Sequence, residues 1–500
     1  MITKIAAVIL ACALLATGCA RKLEDEHMLL LPVADDPTVS FRVLFNVGSQ
    51  NDPAGKEGLA ALTATLVTQG STQKHSYEEV LELLYPMASE VSDQVDKEMT
   101  VFSGRTHKDN LEGYYALFKE VLMEPAFKQE DFDRVKTDYL NYIRTTLRYS
   151  QDEELGKAAL YEFVFDGTPY EHGENGRVQS LESITLEDVK EFYRAHYTWD
   201  NAVIGLGGGY LREFAKRVKE EFAVLPKGRT TTPPAPKPAA IDGIQVEIVE
   251  KDASATAISF GFPIEVKRGS KDFYALALAT SWLGEHRSSF SHLYDVIREK
   301  RGLNYGDYAY VEHFPGGHMR QFPPANVARR QQIFEVWLRP VPNEARVFAF
   351  RAAMREIEKL VNQGMTQEDF DLTRKFLKSY ILHYAPTTML KLGYALDDRF
   401  YGISDGHWQR YARMLDGLTR DDVNAALKKH FNYQNVKVVF VSPDAEGLQR
   451  TLVNNEPSPI TYPSEKPQAI LDEDVEISTY PLSIKPENVK IVKVEEMFQG

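Results

Sequence analysis

Short segments of this sequence return in the same order at a nearly constant distance, and that repetition constrains the fold more than any other feature. Gln129-Glu130-Asp131-Phe132-Asp133 returns as Gln367-Glu368-Asp369-Phe370-Asp371, 238 residues on. Ile184-Thr185-Leu186-Glu187-Asp188-Val189 returns as Leu418-Thr419-Arg420-Asp421-Asp422-Val423, 234 residues on. His196-Tyr197 and Asn201 match His430-Phe431 and Asn435 at that second spacing. Ordered matches at one offset indicate a duplicated unit. Between the copies, residues 226–243 carry prolines and threonines with no apolar period, the pattern of an extended spacer.

Each copy reads as α+β. Residues 38–47 and 255–264 alternate as strands at matching places, and residues 201–206 and 436–441 read as closing strands. Thr185, with Asp188 three residues on, has the form of a helix N-cap and its capping box. Strand-then-helix blocks with returning strands predict two duplicated domains, each an antiparallel sheet covered by helices. The expected division is a leader at 1–18, a tether at 19–36, a first domain at 37–225, the linker at 226–243, a second domain at 244–445 and an extended tail at 446–500. Gly207-Gly208-Gly209 lacks the Lys-Ser/Thr of a phosphate loop and reads as a turn after a strand.

The net charge of −14 comes with no clustered basic run, which excludes phosphate-driven nucleic-acid binding. Lys4, a short apolar run from Ile5 to Ala16, then Thr17-Gly18-Cys19 describe a secretory signal, too short for a membrane-spanning helix. Leu14-Leu15-Ala16-Thr17-Gly18-Cys19 resembles a bacterial lipobox, which implies lipid attachment at Cys19. The only cysteines, Cys12 and Cys19, lie in or at this leader, so the mature chain forms no internal disulfide. A lipoprotein on the periplasmic side of the bacterial outer membrane is the expectation.

Several motifs together resemble the insulinase/pitrilysin zinc peptidases. They are Val39-Ser-Phe-Arg-Val-Leu-Phe-Asn-Val-Gly-Ser49, Gly55-Lys-Glu-Gly-Leu-Ala60, Met99-Thr-Val-Phe-Ser-Gly-Arg105, Glu124-Pro-Ala-Phe127, Ala195-His-Tyr-Thr-Trp-Asp-Asn201 and Ile297-Arg-Glu-Lys-Arg-Gly-Leu-Asn-Tyr305. They stand in family order and with the family's internal duplication. Active members carry H-x-x-E-H after the Gly-Leu-Ala stretch, because histidines at i and i+4 share a helical face and reach one zinc, with the glutamate as general base. Here those positions read Ala61-Leu62-Thr63-Ala64-Thr65, so both ligand positions, Ala61 and Thr65, and the base position, Ala64, are degenerate. The resemblance places a third ligand, a glutamate, in the neighbourhood of residues 139–149, which contains no carboxylate. His286 with His292, and His313 with His318, lack helical i, i+4 spacing and read as ordinary histidines.

The second half retains what the resemblance implies is a substrate-holding pair, Arg298 and Tyr305. Phe290, Leu293, Tyr294 and Ile297 space as an amphipathic helix ended by Gly302, with Arg298 near its C-terminus and Tyr305 at the start of the next strand. Guanidinium and phenol are both donors, suited to a peptide carbonyl or its oxyanion. A cation at a helix C-terminus and a packed strand tyrosine are the alternative account of the same residues. The resemblance implies half of a peptidase clamshell that binds no metal, is inactive alone, and completes a zinc-bearing partner subunit acting on unfolded peptide. A structural or peptide-binding member with no peptidase partner is the alternative.

Overall fold

The computed structural model describes residues 25–315 and 321–500. Cys19, the leader and His318 lie outside these residues. The first sheet contains β1 (Met28–Pro32), β2 (Thr38–Phe45), β3 (Val91–Val95), β4 (Thr100–His107) and β5 (Ala202–Gly208), in the order β1-β5-β2-β4-β3. The second contains β6 (Ile244–Glu250), β7 (Ala255–Ile264), β8 (Asp307–Tyr310), β9 (Gln332–Pro342), β10 (Val436–Ser442) and β11 (Val489–Lys493), in the order β11-β6-β10-β7-β9-β8. Without β11 the second order repeats the first. The duplicated α+β unit is therefore present in the topology as well as in the sequence. The central strands run antiparallel, whereas β1 joins β5, and β6 joins both β10 and β11, in parallel. Registers repeat too: Val43 lies between Ile204 and Phe102, and Phe260 between Val438 and Val336.

Helix ends follow local chemistry. Thr185 Oγ1 accepts from the Asp188 amide at 3.2 Å while Asp188 accepts from the Thr185 amide at 2.7 Å, opening the helix Leu186–His196. Thr419 and Asp422 repeat this box at Arg420–His430. Even the ion pairs repeat. Lys56 reaches Asp188 at 2.9 Å and Lys271 reaches Asp422 at 2.5 Å, Lys56 from just before the helix Leu59–Thr68 and Lys271 from the start of the helix Lys271–Gly284.

The halves exchange a helix. Asp152–Phe165 packs on β7 and β10 of the second sheet, and Thr388–Tyr401 packs on β2 and β5 of the first. The glycines of β5 permit this approach: a Cβ at Gly207 would stand 2.8 Å from Thr388 Cγ2. Gly205 and Gly207 are thus seats for a helix within the strand, which also includes Gly208 and which the chain leaves only at Gly209. Ion pairs close the seam. The buried Arg329 guanidinium grips Asp96 through Nε at 2.6 Å and Nη2 at 3.0 Å, and Arg330 Nε meets Glu98 at 2.5 Å. Arg42 Nη1 donates to Asn326 Oδ1 at 2.5 Å.

Both termini depart from expectation. The segment read as a tether contains β1, an edge strand of the first sheet with Met28 in the core. The segment read as an extended tail contains helices Ala445–Val453 and Gln468–Ser478, then β11. Beyond β11 the chain crosses to the first half, where Val494, Met497 and Phe498 join its core. The Val178 amide donates to the Phe498 carbonyl at 2.9 Å, and buried Arg148 donates through Nε to the Met497 carbonyl at 2.9 Å. Charged and proline-rich composition hid this, because strand addition at a sheet edge asks for backbone groups and only alternate apolar side chains. Residues 226–243 contain no helix or strand.

Candidate functional site

The degenerate zinc positions fall on the helix Leu59–Thr68, every residue of which is buried. Asp52 caps it from outside, accepting from the Gly58 and Ala60 amides at 2.7 Å each, and the His172 ring lies 3.1 Å from the same carboxylate. Ala61 and Thr65 share one face, one turn apart, as the spacing requires. In place of a metal shell there is a hydroxyl network. Thr65 Oγ1 lies 2.8 Å from the Tyr139 hydroxyl and donates to Asp93 Oδ2 at 3.0 Å, while Thr68 Oγ1 donates to Asp93 Oδ1 at 2.5 Å. Burial pushes the Asp93 carboxyl above its usual range, against the pull of the two threonine hydroxyls.

Tyr139 opens the stretch in which the resemblance sets the third ligand, so that stretch does reach the helix, with a phenol where a carboxylate is needed. Its helix, Gln129–Asn141, runs on into a π-helical segment, Tyr142–Ser150. Asp93 was not singled out in the sequence. Its one signal is a carboxylate in an otherwise uncharged strand, Val91-Ser-Asp-Gln-Val95. Among the described residues no group of three or more His, Cys, Asp or Glu is placed to hold a metal ion. His292 stacks on Trp282 with centroids 4.3 Å apart and lies 2.7 Å from Glu356, while His286 pairs with Tyr310. Beside Tyr142 a cavity of about 300 Å³ runs between the halves, walled by Gln94, Lys157, Glu335, Trp337 and Phe498. Lys157 stands 3.8 Å over the Trp337 ring, and burial pushes Glu335 up to about 7.

Arg298 and Tyr305 come together. The guanidinium carbon lies 5.4 Å from the Tyr305 ring centroid, Tyr305 is 77% exposed, and Arg298 Nε is enclosed with no hydrogen-bond partner among the described residues. Arg298 lies in a π-helical turn, Tyr294–Glu299. The wider winding changes the expected face: Leu293, Val296 and Ile297 are buried, whereas Phe290 precedes the turn and is 87% exposed. Gly302 ends the turn with φ +70, its amide donating to the Arg298 carbonyl at 2.7 Å. Tyr305 precedes β8 by two residues instead of opening it.

A duplicated sheet-and-helix unit, with a ligandless helix in one copy and an exposed Arg–Tyr pair in the other, defines half of a peptidase clamshell without the zinc residues. The chain belongs to the insulinase peptidases, family M16: residues 28–171 match Insulinase (Peptidase family M16), and residues 183–377 match the Peptidase M16 inactive domain. It is 21% identical over 427 residues to the Non-peptidase homolog YmxG of Helicobacter pylori, covering 84% of this chain and 90% of that one. It is 23% identical over 330 residues to an uncharacterized zinc protease of Rickettsia bellii, covering 65% and 76%. The solved peptidase M16 inactive domain from Pseudomonas fluorescens superposes with a TM-score of 0.71 at 24% identity, over 83% of this chain and 95% of that one.

Proposed function

We propose that this chain is the non-catalytic, substrate-holding subunit of a two-chain zinc metallopeptidase that acts on unfolded peptide. The zinc resides in a partner chain of the same family. The observation that carries the reading is the Arg298–Tyr305 pair: two donors stacked on each other, with no acceptor of their own among the described residues, in the half other than the one with the degenerate metal positions. A peptide carbonyl held at the partner's zinc gains charge as it is attacked, and two fixed donors stabilise that charge. Ala61, Ala64 and Thr65 support the division of labour, since they offer neither ligand nor base.

Purification from the native host tests this directly. The expected result is a complex with a family member of similar length that carries H-x-x-E-H, while the isolated chain holds no stoichiometric zinc and leaves unfolded peptide intact. In the reassembled pair, Tyr305→Phe keeps the ring on Arg298 and loses one hydroxyl, so turnover drops about 10²–10³-fold with assembly and melting temperature unchanged. Full activity in Tyr305→Phe overturns the role. A monomer or homodimer that holds peptide unaided points instead to the structural or peptide-binding alternative.

The same reading places the protein on the periplasmic face of the outer membrane, tethered by lipid on Cys19. Asp25, the first described residue, comes six positions after Cys19 and just before edge strand β1, a spacing short enough to keep the body near the bilayer. Replacing Cys19 with serine is expected to abolish lipidation and release the protein from the membrane fraction. Unchanged processing and fractionation would remove the anchor from the account.

A further inference from the structure

The helix Lys271–Gly284 repeats, in the second half, the helix that carries the metal positions in the first. Ala277, Thr280 and Ser281 have the spacing of Ala61, Ala64 and Thr65. Ala309 takes the register place of Asp93. Asp93 pairs with Phe102 on β4 and Ala309 with Val336 on β9, and those two partners face the equivalent residues Val43 and Phe260. Leu377 takes the place of Tyr139 in the repeated helix Gln367–Tyr380. In the first half Thr65, Asp93 and Tyr139 fill the space between these elements. Their counterparts Ser281, Ala309 and Leu377 are shorter or apolar, and a cavity of about 80 Å³ remains, lined by all three.

A void of this size is unusual in a packed interior, and polar groups stand among the apolar ones that line it. The Trp408 indole Nε1 is enclosed and has no hydrogen-bond partner among the described residues. Tyr384 and Tyr411, both buried, stand in the same wall. Glu285 faces the same cavity, its carboxyl raised to about 7 by burial, with the Ser281 hydroxyl and the His286 amide opposing the shift. The indole N–H thus lacks an acceptor, and it shares the cavity with the Glu285 carboxyl and two tyrosines. An anion has no lysine or arginine in this wall to meet it and would face Glu285. A simple cation would leave the indole N–H unpartnered. A neutral group with a carbonyl at one end and N–H at the other satisfies both sides, and the volume admits roughly three to five heavy atoms.

We propose that this cavity is a binding site for a small carboxamide, its carbonyl oxygen accepting from the Trp408 indole and a tyrosine hydroxyl and its amide N–H donating to Glu285. The assignment stands on the second half alone and is independent of any partner chain. The test is a titration of the full mature chain with propionamide, propionate and propylammonium, followed through the indole N–H resonances of its four tryptophans, Trp408 being assigned by Trp408→Phe. The expected result is a saturable shift of the Trp408 resonance with propionamide and none with the two charged isosteres. Propionamide should also raise the melting temperature of the native chain, with an affinity about tenfold weaker in Trp408→Phe, the loss of one hydrogen bond to a buried donor. The proposal is overturned if Trp408 ignores propionamide, if propionate or propylammonium shifts it equally, or if crystals soaked in propionamide show only ordered water on the indole nitrogen.

Discussion

Asp307 lies two residues beyond Tyr305, fully buried at the start of β8. Asn304 Nδ2 donates to its Oδ1 at 2.7 Å, while Oδ2 has no partner among the described residues. Burial pushes this carboxyl from 3.8 to about 8, with the Asn304 hydrogen bond opposing. The folded protein therefore holds a proton that the unfolded chain releases. The stability given by the neutral carboxyl is complete below about pH 3.8 and is lost as pH rises towards 8. Asp307→Asn resembles the neutral acid and removes that slope. Melting temperatures of native and variant protein should diverge in the variant's favour from pH 5 to pH 9, and a constant gap across that range would show that the carboxyl is ionised throughout. The metal positions follow a similar logic. Thr65 and Thr68 are useful there because each hydroxyl donates to Asp93, a carboxylate that would otherwise be buried without partners.

The repeated capping boxes allow the two halves to be compared through one chemical change. Thr185→Ala and Thr419→Ala each remove a side-chain acceptor from a helix N-terminus, expected to lower stability by about 1 kcal/mol apiece. The boxes share no partner, since Asp188 also binds Lys56 and Asp422 also binds Lys271. Their effects should therefore add in the double variant, as read by urea unfolding. Strong non-additivity would mean that the halves communicate through the exchanged helices Asp152–Phe165 and Thr388–Tyr401. Those helices have different duties from the capped ones: each is covalently part of one half and packed as a layer of the other, so neither sheet is complete without its neighbour.

The C-terminal crossing completes the assembly. Ending the chain after Lys493 leaves β11 in place but deletes Val494, Met497 and Phe498 from the first half's core, each worth about 1.5–3 kcal/mol of burial. It also removes the carbonyls that receive the Val178 and Gln179 amides and the buried Arg148 guanidinium. Hydrogen exchange should then accelerate at Val178 and Gln179 while the β7–β9 amides keep their protection, and the melting temperature should drop. Unaltered exchange at Val178 would show that these residues do not hold the halves together. Because Phe498 also walls the cavity between the halves, the same truncation widens that cavity.

Much of this protein is written locally. The duplication, the capping boxes at Thr185 and Thr419, the strands 38–45 and 255–264 and the αL stop at Gly302 arise from short-range periodicity and turn chemistry, which need no knowledge of the rest of the chain. The missing ligands at Ala61, Ala64 and Thr65 are equally legible, since a fixed helical spacing either holds imidazoles or does not. Arg298 and Tyr305 could be named from the motif they sit in, whereas their stacking depends on a π-turn that no apolar period announces. The exchange of helices, the return of the tail through β11, the Asp93 network and the cavity beneath Trp408 were decided only by the tertiary structure. Each joins groups from distant parts of the chain or from opposite halves, and a pattern of apolar residues says which face is buried without saying what buries it. Gly207 shows the difference most directly: its sequence reads as a turn, and only the helix from the other half, resting against it, explains why no larger residue fits.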